Sequence, residues 1–230
     1  MSEQIKKMFS RIAGTYDEVN QKLSMGKDKQ WRKDSVKQLL RDGFKPKQVL
    51  DLCAGTGDFT LAMVTDDMDC KVVMVDFSSE MLKLAKGKTR GNPARVTFVE
   101  ADALKLPFLD MSFDAVMCGF GVRNLDNTEA GLKEIARILK PGGKLVVLEF
   151  FKPQGGFLNL FYGLYMKYVV TRVGGSISKD PAAYEYLPNS AKNFLGVQEF
   201  KALMEKCAFK DVGIENRTMG IAVSLVGTRK

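Results

Sequence analysis

A chain of 230 residues is long enough for one domain with a substantial core, and one domain rather than two full ones is expected. Histidine is absent, which excludes any mechanism needing an imidazole base or ligand; four scattered cysteines (Cys53, Cys70, Cys118, Cys207) with no C-x-x-C pair argue against a metal centre or a disulfide framework. The formal charge of +8 sits in the flanks: residues 1–48 carry 12 basic and 6 acidic side chains and residues 151–230 carry 11 and 6, against 12 and 15 in residues 49–150.

Basic flanks suit contact with nucleic acid or with an anionic membrane surface, and the plain alternative is a solubilising charge bias. No signal-like run opens the sequence. The longest nearly apolar stretch, Phe157 to Val170, is too short to cross a hydrocarbon layer of roughly 30 Å. A cytoplasmic protein is expected, with peripheral contact at the inner face of the cell membrane left open.

Residues 3–13 place Ile5, Met8, Phe9 and Ile12 on one face of a helix that Gly14 and Thr15 are expected to end. After a break at Leu23-Ser24-Met25-Gly26, Lys29 to Leu40 reads as a second helix with Trp31, Val36, Leu39 and Leu40 inward, closed by Gly43 and Pro46. From residue 48 the pattern alternates. Strands are expected at 48–53, 71–76, 96–101, 113–119 and 143–150, and helices at 57–65, 78–88 and 128–140, with Pro141-Gly142-Gly143 as a compact turn before the last strand. Short, continuously apolar runs such as Lys71-Val72-Val73-Met74-Val75 are buried parallel strands. Such alternation implies right-handed crossovers and a doubly wound α/β sheet.

After Phe151 the alternation stops. Residues 157–170 read as a helix apolar nearly all round, either buried or a lid over an apolar ligand. Residues 180–194 form another helical piece, with Asp180 as N-cap and Pro181 in the first turn. A helix at 197–207 and strands at 209–216 and 220–228 close a seven-stranded, mostly parallel sheet. The expected organisation is one domain: a helical N-terminal extension (1–47), a cofactor-binding core (48–150), a helical lid (151–195), and a closing helix and strands (196–230).

The organising stretch is Val49-Leu-Asp-Leu-Cys-Ala-Gly-Thr-Gly57, a strand running into a small-residue turn before a helix. Glycines there let the backbone approach a ligand and adopt positive φ. Thr60 stands where a dinucleotide fingerprint has its third glycine, and a lone Gly-x-Gly is equally an ordinary strand-to-helix turn. Asp51-x-x-x-Gly55-x-Gly57 resembles the signature of class I S-adenosylmethionine-dependent methyltransferases, and the likeness runs to about Glu149. In that resemblance Asp51, Gly55, Thr56 and Gly57 hold the methionine end and sugar of the cofactor. Asp76, ending the second strand, is suited to accept both ribose hydroxyls; the alternative is a helix N-cap, a role Ser78 can fill. Phe77 and Met81 then flank the adenine, and the resemblance assigns the adenine amino group to Asp102, followed by Ala103. Gly119 ends the fourth strand at the same rim, where ligands of open α/β sheets bind.

Further motifs narrow the resemblance. Tyr16-Asp17, Leu23-Ser-Met-Gly26 and Trp31-Arg32 precede the core, Phe120-Gly-x-Arg123-Asn124 lies within it, and Tyr184-x-Tyr186-Leu187-x-x-Ser190 and Met219-Gly-Ile-Ala222 follow. Together, over nearly the whole chain, they are similar to the ubiquinone/menaquinone biosynthesis C-methyltransferase family. The resemblance implies methylation of a ring carbon on a prenylated naphthoquinol or benzoquinol, demethylmenaquinol first. The charge and apolar pattern add an expected membrane surface as the place where the substrate is met, and neither nucleic acid nor a metal is expected. A homodimer is one assembly the sequence leaves open. Lys27-Asp28 departs from relatives that carry a hydrophobic-His pair, and is expected to alter surface chemistry or substrate preference.

Such a site must stabilise a developing phenolate. Arg123 suits that task, always charged and donating through a planar fork, but cannot serve as base; Asn124, Tyr16 or a water is left to orient or relay the proton. The structural alternative for Arg123 is a salt bridge to Asp126 or Asp17. Competing functions are a methyltransferase of another small molecule (a sterol, tocopherol precursor or phenol), a nucleic-acid methyltransferase, or a non-enzymatic cofactor-binding protein. Neither an Asn/Asp-Pro-Pro-Tyr/Phe motif nor a Pro-Cys pair follows the fourth strand, which counts against nucleic acid.

Overall fold

A computed structural model of the chain describes residues 3–64, 69–91, 95–151, 171–178 and 180–230. Seven strands form one sheet: β1 (Gln48–Leu52), β2 (Lys71–Asp76), β3 (Val96–Glu100), β4 (Phe113–Gly119), β5 (Leu139–Glu149), β6 (Phe209–Arg217) and β7 (Ala222–Arg229), in the order β3-β2-β1-β4-β5-β7-β6. The first five run parallel, and β7 pairs antiparallel with both β5 and β6. The strand order reverses between β1 and β4. A crevice at their carboxyl ends is therefore dictated by topology.

Side chains alternate between two cores with the period of the strands. Leu50, Leu52, Val116, Cys118, Leu145 and Val147 face α5 (Thr128–Ile138) and α8 (Val197–Lys206), where Ile135 and Phe200 are fully buried. Val49, Met74, Ala115, Met117 and Val146 face α2 (Lys27–Leu39), α3 (Asp58–Met63) and α4 (Ser79–Lys88) through Trp31, Leu39, Met63 and Leu82. Both faces are buried, which is why the centres of β2, β4 and β5 (residues 72–75, 115–118 and 145–148) read as continuous apolar runs instead of alternating ones.

A third cluster lies above the carboxyl rim. Met8, Ile12, Val19 and Leu23 of α1 (Glu3–Leu23) pack on Ala183 and Tyr184 of α7 (Pro181–Asn193), which follows α6 (Thr171–Ser178). The expected break at Gly14-Thr15 does not occur: α1 is one 21-residue helix. A glycine inside a helix costs about 1 kcal/mol, and burial of Val19 and Leu23 beyond it outweighs that. The other boundaries fall within a few residues of expectation, and Asp180 caps α7 by accepting from the Ala183 amide. Pro141-Gly142-Gly143 is not a turn ahead of β5. It is an irregularity inside it: Phe113 pairs with Leu139 and Ala115 already with Lys144, the surplus absorbed at Gly142 with φ 77°. The apolar run at 157–170 lies outside the described residues. Among the described residues no helix is long and apolar enough to cross a membrane.

Candidate functional site

The loops after β1 and β4 meet at the reversal of strand order, and both turn through strained backbone. Cys53 follows β1 with φ 54° and Phe120 follows β4 with φ 58°, a left-handed region that side-chain-bearing residues rarely occupy. They lie back to back. A Cβ on Gly121 would stand 2.5 Å from the Cys53 Cβ, so only glycine fits between the two loops.

This junction opens into a cleft of about 360 Å³ lined by Gly55, Asp76, Phe77, Met81 and Gly119, with Tyr16 and Asn124 at its edge. Gly55 has φ 54°, and a Cβ there would project into open space, so its backbone is accessible from the cleft it lines. Gly57 serves differently: at φ 90° it starts α3, and a Cβ would meet Met74 Cε at 2.9 Å. Asp76 is 6% exposed and accepts from the amides of Gly55 (2.9 Å) and Ser78 (2.9 Å). Burial pushes its carboxyl up to about 6, against those amides, which hold it down. The N-cap of α4 is Ser78, which leaves the remaining lone pairs of Asp76 to a ligand.

Asp51 lies one layer deeper. One oxygen accepts from the Thr60 amide (3.0 Å) and hydroxyl (2.6 Å), whereas Oδ1 is buried without a partner. Burial drives its carboxyl up to about 7. Thr56 is turned away from the cleft, donating to Asp17 and accepting from Lys88 Nζ (3.1 Å). Asp102 is exposed and folds back to accept from the Leu104 amide, and Ala103 is part of the core; neither lines the cleft. An open Gly55 and a ribose-suited carboxylate at Asp76 fit the adenosyl part of S-adenosylmethionine, whereas Asp51 lies behind the cleft wall.

A second cavity, about 600 Å³, adjoins the cleft and shares Phe9, Tyr16 and Phe120 with it. Its walls are aromatic, with the Phe120 and Phe150 rings 4.6 Å apart and Trp31 edge-on to Phe150. Arg123 reaches it from the loop after β4. The partner of Arg123 is neither Asp126 nor Asp17 but Glu149, the last residue of β5, which also accepts from the Phe150 amide (2.8 Å). Arg123 further donates to the Phe120 carbonyl (2.9 Å) and to Ser190 Oγ (3.3 Å), and lies over the Phe150 ring at 5.7 Å. Burial is the largest influence and opposes its charge, yet its neighbours, Glu149 foremost, together offset burial and hold the guanidinium above its ordinary value. Burial also raises the Tyr16 phenol, against the pull of Arg32 and Arg123, so Tyr16 is a donor at neutral pH. Asn124 is fixed by Tyr186, whose hydroxyl donates to Oδ1 at 2.9 Å.

Sequence reasoning missed Glu149, whose signal was a carboxylate ending a fully apolar strand. It left Asp28 open between surface chemistry and substrate preference. Asp28 is 4% exposed, paired with the equally buried Arg32, and lines the aromatic cavity.

Residues 1–229 match the model of the ubiE/COQ5 methyltransferase family. The chain is 43% identical to a demethylmenaquinone methyltransferase of Thermus thermophilus over 96% of its length and 100% of that protein. It is 39% identical to a ubiquinone/menaquinone biosynthesis C-methyltransferase of Geobacter sulfurreducens, over 99% and 89%. Among solved structures, an S-adenosylmethionine-dependent methyltransferase of Thermotoga maritima superposes with a TM-score of 0.68 at 22% identity, covering 97% of this chain and 99% of that one. A Haemonchus contortus phosphoethanolamine N-methyltransferase complexed with S-adenosylhomocysteine gives 0.65 at 18%, covering 85% and 52%. At such identities the structures establish the fold alone.

Proposed function

The chain belongs to the ubiE/COQ5 methyltransferase family, and from that premise we propose that it methylates a ring carbon of a prenylated quinol with S-adenosylmethionine, converting demethylmenaquinol to menaquinol. One observation carries this reading: the cleft suited to the cofactor opens onto an aromatic cavity with a guanidinium in its wall.

Gly55 and Asp76 would hold the amino-acid and ribose ends, Phe77 and Met81 the adenine, with Gly119 closing the floor. Bound there, S-adenosylmethionine supplies an electrophilic methyl group on its sulfonium. The ring carbon attacks only as the adjacent hydroxyl gives up its proton. Arg123 stabilises the oxygen charge that develops, and its bonds to Glu149, Phe120 and Ser190 fix the fork before substrate arrives. Tyr16 donates to the same oxygen or to a water beside it, and Asn124, locked by Tyr186, orients that water. A basic flank on either side of the core and the apolar run at 157–170 support collection of a tailed substrate at an anionic membrane surface, at up to about 1 kcal/mol per basic side chain.

The test is direct. Purified protein, labelled S-adenosylmethionine and a short-tailed prenyl naphthoquinol kept reduced should give a product one methyl heavier, with the label on the ring carbon. No transfer to the naphthoquinol or to the matching benzoquinol overturns the reading. Transfer that proceeds equally well with the oxidised quinone would show that no phenolate is involved.

A further inference from the structure

Among the described residues, two arginine–carboxylate pairs border the aromatic cavity. Besides Arg123 with Glu149, Arg32 donates to Asp28 Oδ2 at 2.9 Å within α2, the side chains 8% and 6% exposed. Ser24 donates to the other oxygen of Asp28 at 2.8 Å. The two guanidiniums lie over the two members of one stacked pair of rings, Arg32 at 5.3 Å from the Phe120 centroid and Arg123 at 5.7 Å from that of Phe150. Both line the same cavity, reached from different elements.

A buried ion pair contributes little to stability, because desolvation of both charges offsets their attraction; an apolar pair would fill the same wall at lower cost. The capacity of this pair is also not exhausted. A carboxylate has about four acceptor sites and a guanidinium five N–H donors, and the pair uses few of them internally. It presents, side by side, an acceptor and a donor to whatever occupies the cavity. A quinol has two hydroxyls on opposite sides of its ring, and the chemistry at Arg123 engages only the one ortho to the acceptor carbon.

We propose that Asp28 and Arg32 bind the second ring hydroxyl of the quinol, Asp28 accepting its proton in a hydrogen bond and Arg32 donating to its oxygen. This rests on the quinol reading above and deepens it. The pair then positions the ring between two arginines, and selects the reduced substrate, since a quinone carbonyl has no proton to offer Asp28. Asp28 and Arg32 are positioning residues in this scheme, remote from the reacting carbon.

The experiment compares two acceptors, a prenyl-1,4-naphthoquinol kept reduced and 3-prenyl-1-naphthol, which keeps the hydroxyl ortho to the acceptor carbon and lacks the other. For Asp28→Asn, KM for the quinol should rise about 10- to 50-fold with kcat changed less than about threefold, the loss of a charge-assisted hydrogen bond. KM for the naphthol should change less than about threefold. Asp28→Asn combined with Arg32→Gln, which leaves no unpaired buried charge, should behave the same way should the single variant fold poorly; retained cofactor affinity by calorimetry certifies the fold of each. A variant that loses the same factor on both acceptors, or loses kcat instead of KM, overturns the proposal and makes the pair structural. Failure of the unmodified protein to methylate either acceptor overturns the quinol reading, and this inference with it.

Discussion

Arg123 and Glu149 form an ion pair across the carboxyl ends of β4 and β5, with side chains 4% and 0% exposed. Glu149 is tied to the backbone of Phe150 as well, so the guanidinium is aimed by a strand as well as by its own loop. The pair is rigid where the chemistry needs rigidity.

From that rigidity, Arg123→Lys should retain S-adenosylmethionine affinity and lower kcat by about two orders of magnitude, the scale of one lost oxyanion donor. Lysine keeps the charge and loses the fork. Glu149→Leu strands the guanidinium and should cost about 3–5 kcal/mol of unfolding free energy, read by denaturant titration. Normal turnover in the lysine variant would return Arg123 to a structural role.

Asp76→Ala should weaken cofactor binding by about 1.5–3 kcal/mol, through lost charge-assisted hydrogen bonds to the ribose. Because the free carboxyl titrates at about 6, cofactor affinity in the unmodified protein should fall as pH drops through 6, and in the alanine variant it should not. Gly55→Val fills the open cleft and forces a branched residue to φ 54°, so binding should be lost altogether. Isothermal calorimetry between pH 5 and 8 measures all three.

Asp51 makes a prediction about stability alone. Burial lifts its carboxyl from an ordinary 3.8 to about 7 in the folded chain, so the folded state holds the proton more tightly. Its contribution favours folding fully below pH 3.8 and is lost as pH rises to 7, at about 1.4 kcal/mol for each pH unit in that window and a few kcal/mol at most. Asp51→Asn keeps an acceptor for Thr60 and removes the titration. Its melting temperature without cofactor should therefore vary less than that of the unmodified protein between pH 4.5 and 7.5. Parallel profiles would show that the Asp51 proton is not held by folding.

Much of this fold is legible in the sequence because it rests on local pattern: continuous apolar strands, Asp180 before Pro181, Ser78 before α4. What escapes is whatever depends on a distant partner. Gly14 and Thr15 look like a helix end until the cluster on α7 is seen to hold α1 together past them. Asp28 stays open between surface chemistry and substrate preference until Arg32 and Ser24 are seen to enclose it. Glu149 looks like the end of a strand, and only the loop carrying Arg123, 26 residues earlier, gives it a role.

The same long-range logic governs the cap. Lys88 joins Asp17 of α1 (2.8 Å) to Thr56 of the glycine loop (3.1 Å) and to Asp58, the first residue of α3, and Ser10 meets Ser78 at 2.9 Å, so α1 is pinned beside the cleft. Lys88→Met should cost no more than about 1 kcal/mol in stability, since Lys88 is partly exposed. It should nonetheless speed amide exchange in residues 3–23 and raise the cofactor off-rate several-fold. Unchanged exchange there would mean that the apolar contacts with α7 hold the helix unaided.

Met8, Ile12, Val19 and Leu23 have a consequence for how the protein is made. Their partners Ala183 and Tyr184 leave the ribosome some 160 residues later, a wait of roughly 10–30 s at ordinary rates of synthesis. Until then the face of α1 that packs on α7 is uncovered on the nascent chain, so a segment translated early completes its packing late.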